Sequence, residues 1–218
     1  MRFDFLTIEQ WVATQSRVLD LGCGDGQLLQ FLQREKRVRS LGVEIDVENI
    51  SACIDNGVDV IQQDLDLGLA NFADNSFDTV LLTQTLQAVH RPDFVLQEML
   101  RVGKECIIAF PNFGHWQARA YLLTRGRMPV SKFMPYEWYD TPNIHFCTVK
   151  DFEELCEQRN IRVLNRRFKA NTYVNGSESG QAAQRSPERQ SLQPARQSAI
   201  VDRWPNMLAT HAIYHVSN

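Results

Sequence analysis

Residues 18–29 read VLDLGCGDGQLL, an apolar run followed by three glycines at alternate positions and the start of a second apolar segment. Branched apolar residues ending at Gly22 predict a strand over 17–21 (RVLDL). From Gln27 to Arg37, Leu28, Leu29, Phe31 and Leu32 share one helical face, and Arg34, Lys36 and Arg37 gather where cations suit the C-terminal end of a helix dipole. Strand, glycine turn and helix in that order put the turn in the ligand crevice of an open α/β sheet, beyond the carboxyl ends of its strands. The turn also discriminates among ligands. Gly22, Gly24 and Gly26 are spaced G-x-G-x-G, and Gln27 stands where the dinucleotide fingerprint needs its last glycine. Asp20 and Asp25 repel a pyrophosphate and attract an ammonium group.

Downstream, β-like and helical patterns alternate. SLGVEI (40–45) is a second strand; Asp46 caps a helix bearing Val47, Ile50 and Ile54, and Gly57 closes it. VDVIQQ (58–63) and FDTVLL (77–82) are the next two strands, the latter a near-continuous apolar run of the kind covered on both faces. Pro92 opens a helix with a stripe of Val95, Leu96, Met99 and Leu100, which Gly103 ends; CIIAF (106–110) then runs to Pro111. Thr148 and Asp151 form a capping box, and IRVLNRRF (161–168) and THAIYHV (210–216) are closing strands. This alternation predicts an α/β fold with a doubly wound, mostly parallel sheet. The whole of 1–218 is expected to be a single domain. Two segments break the rhythm. Residues 111–147 are too rich in aromatics for a disordered tail and are expected to form a lid insertion, in which the aromatic run 133–146 reads as packing. Residues 175–199 hold one large apolar residue, Leu192, and are expected to be a flexible loop.

Composition narrows the partners. A chain of 218 residues that is 44% hydrophobic can bury a full core, and a net charge of −3 provides no basic footprint for nucleic acid or an anionic membrane. Five scattered cysteines read as free thiols of a reducing compartment; with no apolar run long enough to span a bilayer, a cytoplasmic location is expected. No third ligand with metal spacing accompanies His211 and His215, so no metal site is expected.

A ligand with an ammonium, a sulfonium and no phosphate fits the acidic turn, and S-adenosylmethionine is such a molecule. Glu44 ends the second strand about 20 residues after the turn, the spacing at which a carboxylate accepts both ribose hydroxyls. Asp64 is positioned to accept from the adenine amino group while Ile45 and Leu65 pack the ring, although a helix N-cap explains Asp64 nearly as well. Asp25, too, is compatible with a capping role.

The ordered run VLDLGCGDGQLL, LGVEID, QQDLD and FADNSFDTVLLTQTLQ resembles the class I S-adenosylmethionine-dependent methyltransferase fold. With FPNFGHW and PYEWYDTPNIHFCT added, the stretch from about 10 to 170 is similar to the methionine-biosynthesis protein W family, and the similarity resumes near RWPN. The resemblance implies a Rossmann-like seven-stranded sheet with S-adenosylmethionine contacted by Asp20, Gly22, Gly24, Gly26, Glu44, Ile45, Asp64, Leu65 and Thr83. It also implies a role beside homoserine O-acyltransferase, the protein partner expected here. RVGKECII lacks the Pro-Gly-Gly turn common before the fifth strand of small-molecule methyltransferases.

Two functional classes follow. In the first the chain transfers the methyl group, with most of the rate coming from positioning and water exclusion; the catalytic residues are then unknown, and His115, Tyr139 and His145 in the insertion are the candidate bases. In the second it is a non-catalytic regulatory partner that senses S-adenosylmethionine and activates the acyltransferase. A nicotinamide-dependent oxidoreductase on the same sheet is a third, weaker reading.

Overall fold

The computed structural model describes residues 3–130, 136–171 and 198–218. Its sheet is formed by β1 (Arg17–Leu21), β2 (Arg39–Glu44), β3 (Val60–Gln62), β4 (Phe77–Thr83), β5 (Gly103–Pro111), β6 (Arg162–Asn171), β7 (Ser198–Ile200) and β8 (His211–Ser217), in the order β3-β2-β1-β4-β5-β8-β6-β7. The first five are parallel; β8 runs antiparallel between β5 and β6, and β7 runs antiparallel to β6.

The described residues thus hold eight strands where seven were expected. The extra one pairs Ser198–Ile200 with Lys169–Asn171. A three-residue edge strand needs only backbone donors and acceptors, so it leaves no alternation in the sequence. The expected flexible loop at 175–199 lies outside the described residues except for Ser198 and Ala199, which belong to β7.

Successive strand residues enter opposite cores. Val80, Leu82, Cys106, Ile108 and Phe110 pack on one face with Val95, Leu96 and Met99 of α4 (Pro92–Val102) and with Phe152 and Cys156 of α6 (Val149–Gln158). Val18, Leu81, Ile107 and Ile213 pack on the other with Leu28, Leu29 and Leu32 of α2 (Gln27–Lys36), Cys53 of α3 (Val47–Asp55), and Ile8 of α1 (Phe3–Trp11). Each such side chain contributes about 1.5–3 kcal/mol by leaving water. A one-residue slip would exchange the two faces wholesale, which fixes the register.

The segment expected to be a lid insertion, 111–147, holds among its described residues a helix, α5 (Trp116–Arg125), in which Ala118 is the buried residue. The structure also gives FPNFGHW a packing role. Asn112 is fully buried; its amide donates to the carbonyls of Ala209 (2.8 Å) and Asn206 (3.2 Å), at and just beyond α7 (Pro205–Leu208), and its oxygen accepts from Gly114 (3.0 Å) and Val149 (3.1 Å). One side chain thereby joins the end of β5 to the starts of α5 and α6. The carbonyl of Gln87 accepts from Ile144 (2.9 Å) and His145 (3.0 Å), which ties the insertion's last segment to the turn after β4.

Candidate functional site

Chain order along the sheet reverses between β1 and β4: β2 and β3 lie on one side of β1, and β4 and β5 on the other. A crevice opens beyond the carboxyl ends at such a reversal. Here it is a cleft of about 380 Å³, lined among others by Gly22, Glu44, Ile45, Asp64, Leu65 and Gln84.

Of the glycine turn, Gly22 lines the cleft. Gly22 has φ +72°, and the Thr85 side chain stands where a β-carbon at this position would be. Left-handed backbone costs an L-residue about 1–2 kcal/mol before any clash. Gly24 is also left-handed (φ +56°), but a β-carbon there meets open space. Gly22→Ala is therefore expected to destabilise the fold by about 2–3 kcal/mol and Gly24→Ala by about 1 kcal/mol. Urea unfolding reads both; equal midpoints for the two variants would show that Thr85 moves aside without cost.

Glu44 organises the turn. Only 8% exposed, it accepts the Gly24 N–H on Oε2 (2.8 Å) and the N–H groups of Ile45 (2.9 Å) and Asp46 (3.1 Å) on Oε1. A carboxylate has about four acceptor positions, so one remains on Oε2, and Glu44 lines the cleft. From α3 and its C-cap, the Cys53 thiol donates to the Gly24 carbonyl (3.1 Å) and the Asn56 amide to that of Asp25 (2.8 Å), bracing the loop. Cys23 and Cys53 lie 3.7 Å apart as free thiols, and burial pushes both pKa values up.

Asp20 is the unusual residue. It sits on the central strand between Gly42 and Leu81, 1% exposed, and its Oδ1 has no hydrogen-bond partner among the described residues. Burial, with a smaller push from the Glu44 carboxylate, raises its pKa to about 7. An unpartnered buried carboxyl in a crevice is a place for a positively charged ligand group.

The other expected contacts divide. Ile45, exposed, and Leu65, buried, line the cleft, while Gly26 packs beneath it against Cys53 and Val58. Asp64 is the N-cap of the 3₁₀ turn Leu65–Leu67, its Oδ1 accepting from Asp66 N–H (2.9 Å), which leaves Oδ2 for a ligand. Asp25 accepts from the backbone and side-chain amides of Gln27. Thr83 lines a smaller neighbouring pocket.

None of the three candidate bases lines the cleft. His115 is buried as the N-cap of α5, accepting from Gln117 N–H (3.3 Å), and burial lowers its pKa. Tyr139 is 71% exposed, edge-on to Trp138. The His145 ring lies 3.2 Å from the His90 carbonyl. His215 is structural: buried, bonded to Glu105 (2.8 Å) and stacked on Trp11.

Three further residues line the cleft beyond the expected ligand contacts. His90 pairs with Asp66 (2.8 Å) at the rim, and Thr85 sits under Gly22. Gln84 has φ +65° and donates its N–H to the Ala109 carbonyl (2.8 Å). It lines the cleft, the smaller pocket and a third space of about 270 Å³ under the insertion, walled by Phe113, Tyr136, Trp138 and Phe146. Among the described residues of the aromatic run expected to be packing, Tyr136, Trp138, Tyr139 and Phe146 are exposed, and three of them, Tyr136, Trp138 and Phe146, surround a space instead of filling one. In the sequence, Thr83, Gln84 and Thr85 interrupt the apolar strand end at the crevice, a pattern that hints at function although polar groups are common at a sheet rim.

The family model described as "Methionine biosynthesis protein MetW" matches residues 2–216. A curated relative from Rhodopirellula baltica, the bifunctional methionine biosynthesis protein MetXA/MetW, is 41% identical over 170 residues, covering 74% of this chain and 27% of that protein. The chain thus spans about a quarter of that relative. Among solved structures, an S-adenosylmethionine-dependent methyltransferase from Archaeoglobus fulgidus superposes with TM-score 0.65 at 14% identity, covering 99% of this chain and 93% of its own. A possible histamine N-methyltransferase from Thermotoga maritima superposes with TM-score 0.64 at 16% identity, covering 99% and 89%. These likenesses show the fold.

Proposed function

The chain belongs to the methionine biosynthesis protein MetW family and has the class I methyltransferase fold; from this and the cleft we propose that it binds S-adenosylmethionine and acts with homoserine O-acyltransferase. The observation that carries the ligand reading is the unpartnered Asp20 carboxyl at the end of β1, beside a turn already organised by Glu44. Glu44 Oε2 accepts one ribose hydroxyl, Asp64 Oδ2 accepts from the adenine amino group, and Ile45 and Leu65 cover the ring. Asp20 faces the ligand's positive end across the turn of Gly22, Gly24 and Gly26, with Thr83 beside it. Carboxylates at both ends disfavour NAD, whose pyrophosphate would meet them at close range.

The partner reading draws on the bifunctional relative, in which MetXA and MetW are one polypeptide. S-adenosylmethionine is made from methionine, so a domain that binds it can bias a biosynthetic partner through differential affinity for the partner's two states. Five free thiols support a reducing, cytoplasmic setting, and no helix among the described residues is long and apolar enough to cross a membrane. One observation favours methyl transfer as a second reading: the aromatic space under the insertion shares Gln84 with the cleft, which provides room for an acceptor. When bound, S-adenosylmethionine supplies a methyl carbon already activated by a positive sulfur, and the chain's part is to orient the acceptor and exclude water.

Two measurements test these readings. S-adenosylmethionine at 100 times its Kd is expected to stabilise the fold by about 2.7 kcal/mol and NAD not at all; a rise in Tm with NAD alone would reverse the ligand assignment. Co-expressed acyltransferase is expected to co-elute at micromolar concentration. Separate elution with unaltered acyltransferase turnover would end the partnership reading.

A further inference from the structure

Beside the cleft lies a second pocket, of about 40 Å³, lined in part by Cys23 and Asp25 of the glycine turn. Asp4 and Phe5 of α1 line it, with Asp20, Asp25, Thr83 and Gln84. The pocket is small beside the cleft of about 380 Å³. Among the described residues lining it are three carboxylates and no Lys, Arg or His. Asp25 is engaged with the amides of Gln27, whereas Asp20 is 1% exposed with Oδ1 unpartnered. The charge of the lining selects a cationic group, and Gln84 lines both spaces.

We infer that α1 supplies a ligand-reading residue, Asp4, which together with Asp20 holds the ammonium of the ligand's amino-acid end, so that the N-terminal helix sets preference for the whole sulfonium amino acid over its nucleoside fragment. The inference rests on the S-adenosylmethionine reading above. Geometry provides the reason: the sheet offers Asp20 from below, and α1, packed by Ile8 on the core that also holds Leu28 and Ala109, crosses the pocket from the other side. Phe5 and Ile8 wall the pocket with apolar surface, and a charge pair shielded from water is stronger than an exposed one.

Calorimetry on the full chain with four probes tests this. S-adenosylmethionine, S-adenosylhomocysteine and decarboxylated S-adenosylmethionine carry the ammonium; 5′-methylthioadenosine lacks the entire amino-acid end. Asp4→Asn keeps the side-chain shape and removes the charge. It is expected to weaken the first three about tenfold or more and to change 5′-methylthioadenosine by less than twofold, which also shows that the variant is folded. Equal loss for all four, or loss for none, overturns the inference while leaving the cofactor reading intact. A wild-type chain that binds none of the four overturns both.

Discussion

Glu44→Ala is expected to weaken S-adenosylmethionine binding by at least about 100-fold and to lower the stability of the free chain by about 3 kcal/mol. The two effects share one cause. The carboxylate accepts from Gly24, Ile45 and Asp46 while nearly buried. A hydrogen bond to a charged group contributes about 1.5–3 kcal/mol. Alanine leaves three donors to find water at a crowded turn, and the Gly24 bond that shapes the loop is lost with the ribose acceptor. One term opposes the loss, since removing Glu44 relieves its repulsion of Asp20. Glu44→Gln should fall between: its single amide oxygen can serve the Ile45 and Asp46 donors, but its NH₂ faces the Gly24 N–H. Binding by calorimetry and Tm by thermal melts check both variants. Unchanged affinity in Glu44→Ala removes the ribose assignment, and an unchanged Tm removes the organising role given to this side chain.

What the sequence disclosed, and what it withheld, follows from the range of the interactions. The strand–turn–helix at 17–36 was legible because its determinants are local: branched apolar residues, glycines in left-handed backbone, and one apolar helical face. The capping box of Thr148 and Asp151 is likewise a four-residue signal, and the structure contains both of its hydrogen bonds. By contrast α1 left no stripe, since Ile8 is buried while Leu6 is 43% exposed. Within α5, Leu122 and Leu123 face outward, so its apolar residues follow no core-facing period. The site divides the same way. Glu44 was legible from its distance to the turn, whereas Asp4 reaches the pocket only because α1 packs across strands that follow it in sequence. His115, one of the three candidate bases, is used as a helix cap. Gln84 could be read as polar but not as the residue shared by three spaces, because that depends on where residues 136–146 come to rest.

Asp20→Asn is expected to stabilise the free chain above neutral pH and to weaken ligand binding, a pairing that a merely structural aspartate would not produce. The folded pKa of Asp20, about 7, lies above its ordinary value of 3.8 because burial and the Glu44 carboxylate disfavour the charge. Between those two values the folded chain keeps a proton that the unfolded chain releases, so this residue's contribution to stability is whole below pH 4 and is lost as pH rises through 7. The full loss is about 4 kcal/mol. Asparagine does not titrate. The variant and wild type should therefore match near pH 4 and diverge up to pH 7–8, where Tm differs by on the order of 10 °C for a chain of this size. Comparing the two at each pH cancels the remaining carboxylates. The groups facing Asp20 are Asp4 from α1, Cys23 and Asp25 from the turn, and Glu44 from β2. Cys23 stays protonated throughout, its pKa pushed up by burial. Ligand binding should move the opposite way with pH. An ammonium group needs the ionised carboxylate, so wild-type affinity is expected to rise roughly tenfold per pH unit below 7 and then level, while the variant binds weakly at every pH. If Asp20→Asn fails to gain stability at pH 8, then Asp20 is ionised in the folded chain without penalty, some cation or water already answers it, and the crevice is not poised for a positively charged ligand.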